Sequence, residues 1–177
     1  GEDDLTFVDQ DYINVSNTDN VDPQPEIPLA RDHPPDYLHQ FDCFQRKGLH
    51  FIHLNVRSLI PKLSELRLFA EKTRLSVIML SETWLDDSIT DQEISIPGFQ
   101  VIRKDRNRNG GGVCVYVRDS IAFNPLDEMY IDGHEAVWIE LFLPKTKPIT
   151  VGTCYRPPKD NDFLHRFEQT LGNLQSG

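Results

Sequence analysis

Several common patterns are missing from this sequence, and each absence narrows what it can be. No run approaches the roughly 20 consecutive apolar residues of a membrane-spanning helix. With 38% hydrophobic residues and a mean hydropathy of -0.45, a soluble globular chain without a membrane partner is expected. Cysteine is scarce: Cys43, Cys114 and Cys154 form no close pair. That odd, scattered set speaks against a disulfide framework or a zinc site and for a reducing compartment, nuclear or cytoplasmic. The Asn14-Val15-Ser16 sequon then reads as a chance match. Histidines at 33, 39, 50, 53, 134 and 165 show no metal-ligand spacing on any one element. No basic-then-apolar signal opens the chain, which begins Gly1-Glu2-Asp3-Asp4, so secretion is not expected. A first residue other than Met suggests a fragment or a processed piece. Internal repeats are also missing.

Positive charge is nearly absent from one quarter of the chain. Residues 1–45 carry 11 of the 28 acids and, of the 18 bases, only Arg31. The remaining 132 positions therefore hold 17 acids and 17 bases, and the net charge of -10 belongs entirely to the N-terminal segment. An acidic total thus does not exclude a polyanionic partner for residues 46–177. The first segment also contains Pro23, Pro25, Pro28, Pro34 and Pro35 and no sustained period. It reads as a disordered tail, or alternatively as a docking segment for a basic partner.

From Leu49 the texture becomes that of an α/β domain. Leu49 to Leu54 reads as a strand that stops at Asn55. Over 61–73, Leu63, Leu66, Phe69 and Ala70 share one helical face, and Pro61 suits the first turn. Leu75 to Leu80 is an apolar run suited to a buried strand, so the unit predicts strand, helix, strand with a parallel crossover. Further strands are predicted at Phe99–Ile102, Val113–Val117, Ala136–Phe142 and Ile149–Tyr155, then a helix over Asp162–Leu171 with Phe163, Phe167 and Leu171 on one stripe. The three glycines 110–112 do not make a nucleotide phosphate loop, because neither Lys-Ser/Thr nor a helix follows them.

Three positions carry candidate chemistry because each closes an apolar strand, where ligands of open α/β sheets gather. Asn55 can orient a phosphate or a metal-bound water with its amide; it also reads as a turn cap. Glu82, in Leu80-Ser81-Glu82-Thr83-Trp84-Leu85, is a hard-oxygen ligand suited to Mg²⁺; it also reads as a solvated loop acid. Tyr155 can hydrogen-bond a phosphate and Arg156 can pair with one, although a tyrosine at a domain rim explains the position as well. Arg103, Lys104, Arg106 and Arg108 flank the glycines as a phosphate-contacting loop or a solvated hairpin tip.

Four segments in order, Leu54-Asn55-Val56-Arg57-Ser58-Leu59, the Glu82 segment above, Gly110-Gly111-Gly112-Val113 and Tyr155-Arg156-Pro157-Pro158, resemble the endonuclease/exonuclease/phosphatase superfamily. The flavour is that of the apurinic-endonuclease-like domain of LINE-type (non-LTR) retrotransposon proteins. The resemblance runs from about Leu49 to about Leu171. It implies a two-sheet α/β sandwich with the site at one end and a nick in DNA that primes reverse transcription. It implies Glu82 as the Mg²⁺ ligand, with Mn²⁺ as a substitute, and Asn55 in the metal and phosphate shell. Tyr155 becomes the active-site tyrosine, and Arg57, Arg156, Arg106 and Arg108 become contacts to DNA. Further partners would be the C-terminal half and the reverse transcriptase region of the same polyprotein.

The family continues with a strand ending in Asp-x-Asn and later a Ser-Asp-His motif, and neither follows Tyr155 here. The C-terminal portion of the fold is therefore expected to be absent and the chain to hydrolyse little or nothing by itself. Its inner apolar face, including Val113, Val115, Val137 and Ile139, is expected to lack a covering layer and to leave residues 46–177 poorly soluble or molten. Two alternatives remain at this point: a domesticated, non-catalytic interaction module on the same fold, and another phosphodiesterase or phosphatase of the superfamily.

Overall fold

The computed structural model describes residues 47–176. The acidic segment 1–45 and Cys43 lie outside the described residues. Strand β1 (Phe51–Asn55) leads through a 3-10 turn (Ile60–Lys62) into helix α1 (Leu63–Lys72) and then strand β2 (Val77–Ser81). The turn carries Pro61 near its start, where a missing N–H costs nothing. β1 and β2 pair in parallel with Asn55 opposite Ser81, so both strands end at one edge. Strands β3 (Phe99–Lys104) and β4 (Val113–Arg118) form an antiparallel hairpin, and β4 pairs with β2, giving the order β1-β2-β4-β3.

A second, antiparallel sheet has the order β5-β6-β7, from Ala122–Pro125, Glu135–Phe142 and Ile149–Tyr155. Strand β5 was not anticipated; four residues ending in Pro125 are too short to show a period, and proline is tolerated on such an edge. Helix α2 (Phe163–Ser176) extends beyond the stretch that the Phe163, Phe167 and Leu171 stripe predicts.

Period-two alternation builds the layers. On β2 and β4, Ile78, Leu80, Cys114 and Tyr116 face α1, where Leu63, Leu66 and Ala70 complete one core. Leu85, Ile94 and Ile96, from the long loop after β2, fill the same core. Val77, Val113, Val115 and Val117 point the other way and meet Val137, Ile139 and Leu141 of β6. β7 lies across β2 and β4, and β6 across β4 and β3. The outer face of the second sheet receives α2 through Trp138 stacked on Phe167, with centroids 6.4 Å apart.

This arrangement corrects the expectation of an uncovered inner face. Val113, Val115, Val137 and Ile139 are all buried, because the two sheets cover each other. The sequence periods located each apolar face, but they do not encode which face meets which. β1 is an edge strand of the first sheet: Phe51 packs against the core between the sheets, while His53, Leu54 and Asn55 are exposed.

Candidate active site

The parallel crossover delivers Asn55 and Glu82 to the same end of the first sheet. Asn55 Nδ2 donates to Glu82 Oε1 over 3.0 Å. The chain bends sharply on leaving both strands. Arg57 and Ser58 have φ of 41° and 80°, and Glu82 and Trp84 both have φ of 54°. Left-handed backbone at such residues costs about 1–3 kcal/mol each and persists only where the surroundings over-determine it. Hydrogen bonds on two sides do so here. Val56, Ser58 and Leu59 donate their N–H groups to the carbonyls of Ser81, Glu82 and Thr83. From the other side, Thr83 and Trp84 donate to the carbonyls of Gly112 and Gly111. The Lys62 ammonium bonds the Val56 carbonyl and, at 3.4 Å, that of Arg57.

Tyr155 arrives from the second sheet as the last residue of β7. Its phenol is pushed above the ordinary tyrosine value first by desolvation and then by the neighbouring Glu82 carboxylate, through charge and a side-chain hydrogen bond. The Arg106 guanidinium lies 5.7 Å from the centre of the Tyr155 ring and partly offsets that rise. Three residues that are 27 or more positions apart in sequence thus meet at one end of the sandwich.

The donor set suits a small hard cation. Among the described residues no group of three or more His, Cys, Asp or Glu side chains could hold a metal, which disfavours a dedicated all-protein cage. Mg²⁺ asks for less: one or two carboxylates, with the remaining positions filled by water and substrate phosphate. Glu82 offers the carboxylate. Asn55 spends an amide N–H on Glu82 and keeps its carbonyl oxygen.

The arginines separate by placement. Arg57 is exposed at the β1 exit, two residues from Asn55. Arg156 is exposed next to Tyr155, its guanidinium 5.9 Å from the centre of the Phe163 ring. Arg108 is exposed at the tip of the β3–β4 hairpin. Arg106 is also exposed but is engaged by the protein's own groups: Nη1 donates to Glu135 Oε1 over 2.9 Å, and Nε to the Gly110 carbonyl over 2.9 Å. Arg103 is tied to Asp91, Asp105 and the Ile89 carbonyl. Sequence reasoning missed Glu135, Thr83 and Lys62, all of which bear on the backbone around Glu82. An acid at the head of a strand carries no local signal of what lies across the sandwich.

No family model and no curated protein matches the sequence. Solved structures similar in fold include three from the endonuclease/exonuclease/phosphatase superfamily. The endonuclease domain of TRAS1, a telomere-specific non-LTR retrotransposon, is 10% identical, with a TM-score of 0.47 over 71% of this chain and 52% of that one. The human Nocturnin catalytic domain with bound sulfate is 13% identical, with a TM-score of 0.46 over 71% of this chain and 57% of that one. The AP endonuclease LMAP from Leishmania major is 20% identical, with a TM-score of 0.46 over 71% of this chain and 45% of that one. The chain spans about half the length of these structures. At such identities the likeness is one of fold.

Proposed function

We propose that the end of the sandwich where Asn55, Glu82 and Tyr155 meet is the metal-binding part of a phosphodiesterase site. The chain is then a portion of an endonuclease domain from a non-LTR retrotransposon protein, and its substrate is DNA. The observation that carries this reading is the Glu82 carboxylate, held on a left-handed backbone, hydrogen-bonded to Asn55 from the neighbouring strand and near enough to Tyr155 of the other sheet to help raise its phenol. Glu82 and the Asn55 carbonyl oxygen hold Mg²⁺, or Mn²⁺ in its place. The bound cation supplies charge neutralisation at a phosphate oxygen. Tyr155 remains a neutral hydrogen-bond donor at physiological pH, since its environment favours the protonated phenol. Arg57 and Arg156, exposed on either side, contact neighbouring phosphates.

Hydrolysis also needs an oriented water and a group that stabilises the leaving oxygen. This chain's residues supply metal and phosphate binding, and the remaining groups belong to other parts of the polyprotein, such as the C-terminal half of the domain. An intracellular setting, nuclear or cytoplasmic, follows from a DNA substrate.

The test combines Mg²⁺ binding with nicking of supercoiled plasmid, with EDTA as control. Mg²⁺ binding that Glu82→Ala abolishes, with no nicking by this chain alone, is the expected result. EDTA-sensitive nicking that Glu82→Ala removes would show that the residues present here suffice for turnover. Mg²⁺ binding that is equal with and without Glu82 would sink the reading. For the DNA contacts, Arg57→Ala and Arg156→Ala should each weaken duplex binding uniformly across sequences and lower the salt slope by about one unit.

A further inference from the structure

We propose that Glu135 and Arg106 are positioning residues for this site: together they latch the two sheets so that Glu82 on one and Tyr155 on the other keep a fixed separation. The inference rests on the reading of this end of the sandwich as a metal site.

Glu82 directly follows β2 and Tyr155 ends β7, two strands that do not pair with each other. Within a sheet, backbone hydrogen bonds fix the register. Between sheets, apolar packing supplies the cohesion, and the hydrophobic effect is non-directional. A site built across two sheets therefore needs directed contacts to set the distance between its halves.

Glu135 provides them. It heads β6 and stands directly opposite Tyr155 in the β6–β7 register. Both of its carboxylate oxygens are used. Oε2 accepts the Gly112 N–H over 2.6 Å, and Oε1 accepts Arg106 Nη1 over 2.9 Å. Arg106 returns a bond from Nε to the Gly110 carbonyl and spreads its guanidinium over the Tyr155 ring. The same glycine loop carries the carbonyls of Gly111 and Gly112, which bind the Trp84 and Thr83 N–H groups just after Glu82. A continuous path of directed bonds thus runs from the β6–β7 pair, through Glu135 and the glycine loop, to the strained exit of β2.

The fit explains the glycine run. A Cβ on Gly111 would stand 2.4 Å from Glu135 Oε2 and 2.5 Å from Arg106, and one on Gly112 would stand 2.6 Å from Thr83 Oγ1. Glu135 is largely covered, with a side-chain exposure of 13%, while Arg106 closes over it from the solvent side at 36%. With its charge met by Arg106 and its oxygens occupied, Glu135 is a brace, and Glu82 is the carboxylate left to meet a cation.

Mn²⁺ binding, read from the electron spin resonance of free Mn²⁺ well below the unfolding temperature, tests this on the full chain. Glu82→Gln should abolish binding. Glu135→Gln and Arg106→Gln should each weaken it by about 10- to 100-fold, the range for groups that orient a ligand without touching the metal. The double variant should be no weaker than the worse single one, because both substitutions open the same latch. Arg106→Gln keeps the Gly112–Glu135 bond, so it carries the test if Glu135→Gln fails to fold. Glu82-dependent Mn²⁺ binding that is unchanged in folded Glu135→Gln or Arg106→Gln overturns the latch and leaves the site standing. No Glu82-dependent binding in the unsubstituted chain overturns the site reading itself, and with it the latch.

Discussion

Two glycines with nearly the same φ separate conformational strain from steric conflict. Gly98 has φ of +82° and open space where a Cβ would go. Gly112 has φ of +81°, and a Cβ there meets the Oγ1 of Thr83, a fully buried residue. Gly98→Ala should cost about 1–2 kcal/mol from the left-handed backbone alone. Gly112→Ala adds overpacking and should cost about 2–4 kcal/mol in urea unfolding; equal losses at the two positions would contradict the packing described. Tyr155 gives a second residue-level test. Its raised pKa means that the folded state keeps the phenolic proton where the unfolded chain releases it. The stability it contributes is intact below about pH 10 and is lost as pH rises through the folded value. Glu82→Gln should move the Tyr155 titration down only in part, since desolvation, the larger cause, remains. The strand-end placement of Asn55, Glu82 and Tyr155 was legible in the sequence because each closes an apolar run. Glu135 was not, because its importance comes from the strand it faces across the sandwich, which no local pattern records.

At the scale of elements, α1 was plain in the sequence because a three- and four-residue spacing of apolar positions marks the face it buries. For α2 the stripe gave the helix but not the partner. Phe163 and Phe167 enclose the His134 ring edge-on at 5.2 and 6.2 Å, and Thr170 Oγ1 lies 3.4 Å from its Nδ1. Arg166, on the same helix, bonds Asp160. Burial first, and then the Arg166 charge, lowers the His134 pKa, while Asp160 opposes them. The unfolded chain therefore takes up a proton near pH 6.5, before the folded one does. Stability from this group is full above that pH and is lost as pH falls through the folded value. Urea midpoints measured against pH should drop on acidification below about 6.5, less steeply in His134→Leu; identical slopes would remove His134 as the cause.

For the whole described region, mutual covering of the sheets predicts one cooperative transition. The two tryptophans of the chain make this measurable, since Trp84 follows β2 of the first sheet and Trp138 lies on β6 of the second. Trp84→Phe and Trp138→Phe each leave one reporter. Their fluorescence midpoints in urea should coincide with the loss of far-ultraviolet circular dichroism. Separate midpoints would mean that the sheets unfold independently and would restore the molten behaviour expected from the sequence alone. That expectation treated the chain as one sheet with a bare face, because alternation along a strand shows that a face is apolar but not what lies on it.

The bond from the Gly112 N–H to Glu135 has one more consequence. Most protected amides in a β-structure report on the opening of their own ladder. This buried N–H, on the loop between β3 and β4, is held by a carboxylate from the opposite sheet. Deuterium can replace its hydrogen only when the bond to Glu135 opens. The exchange rate at this single position therefore measures how often the site comes apart without the protein unfolding, and a bound cation should slow it.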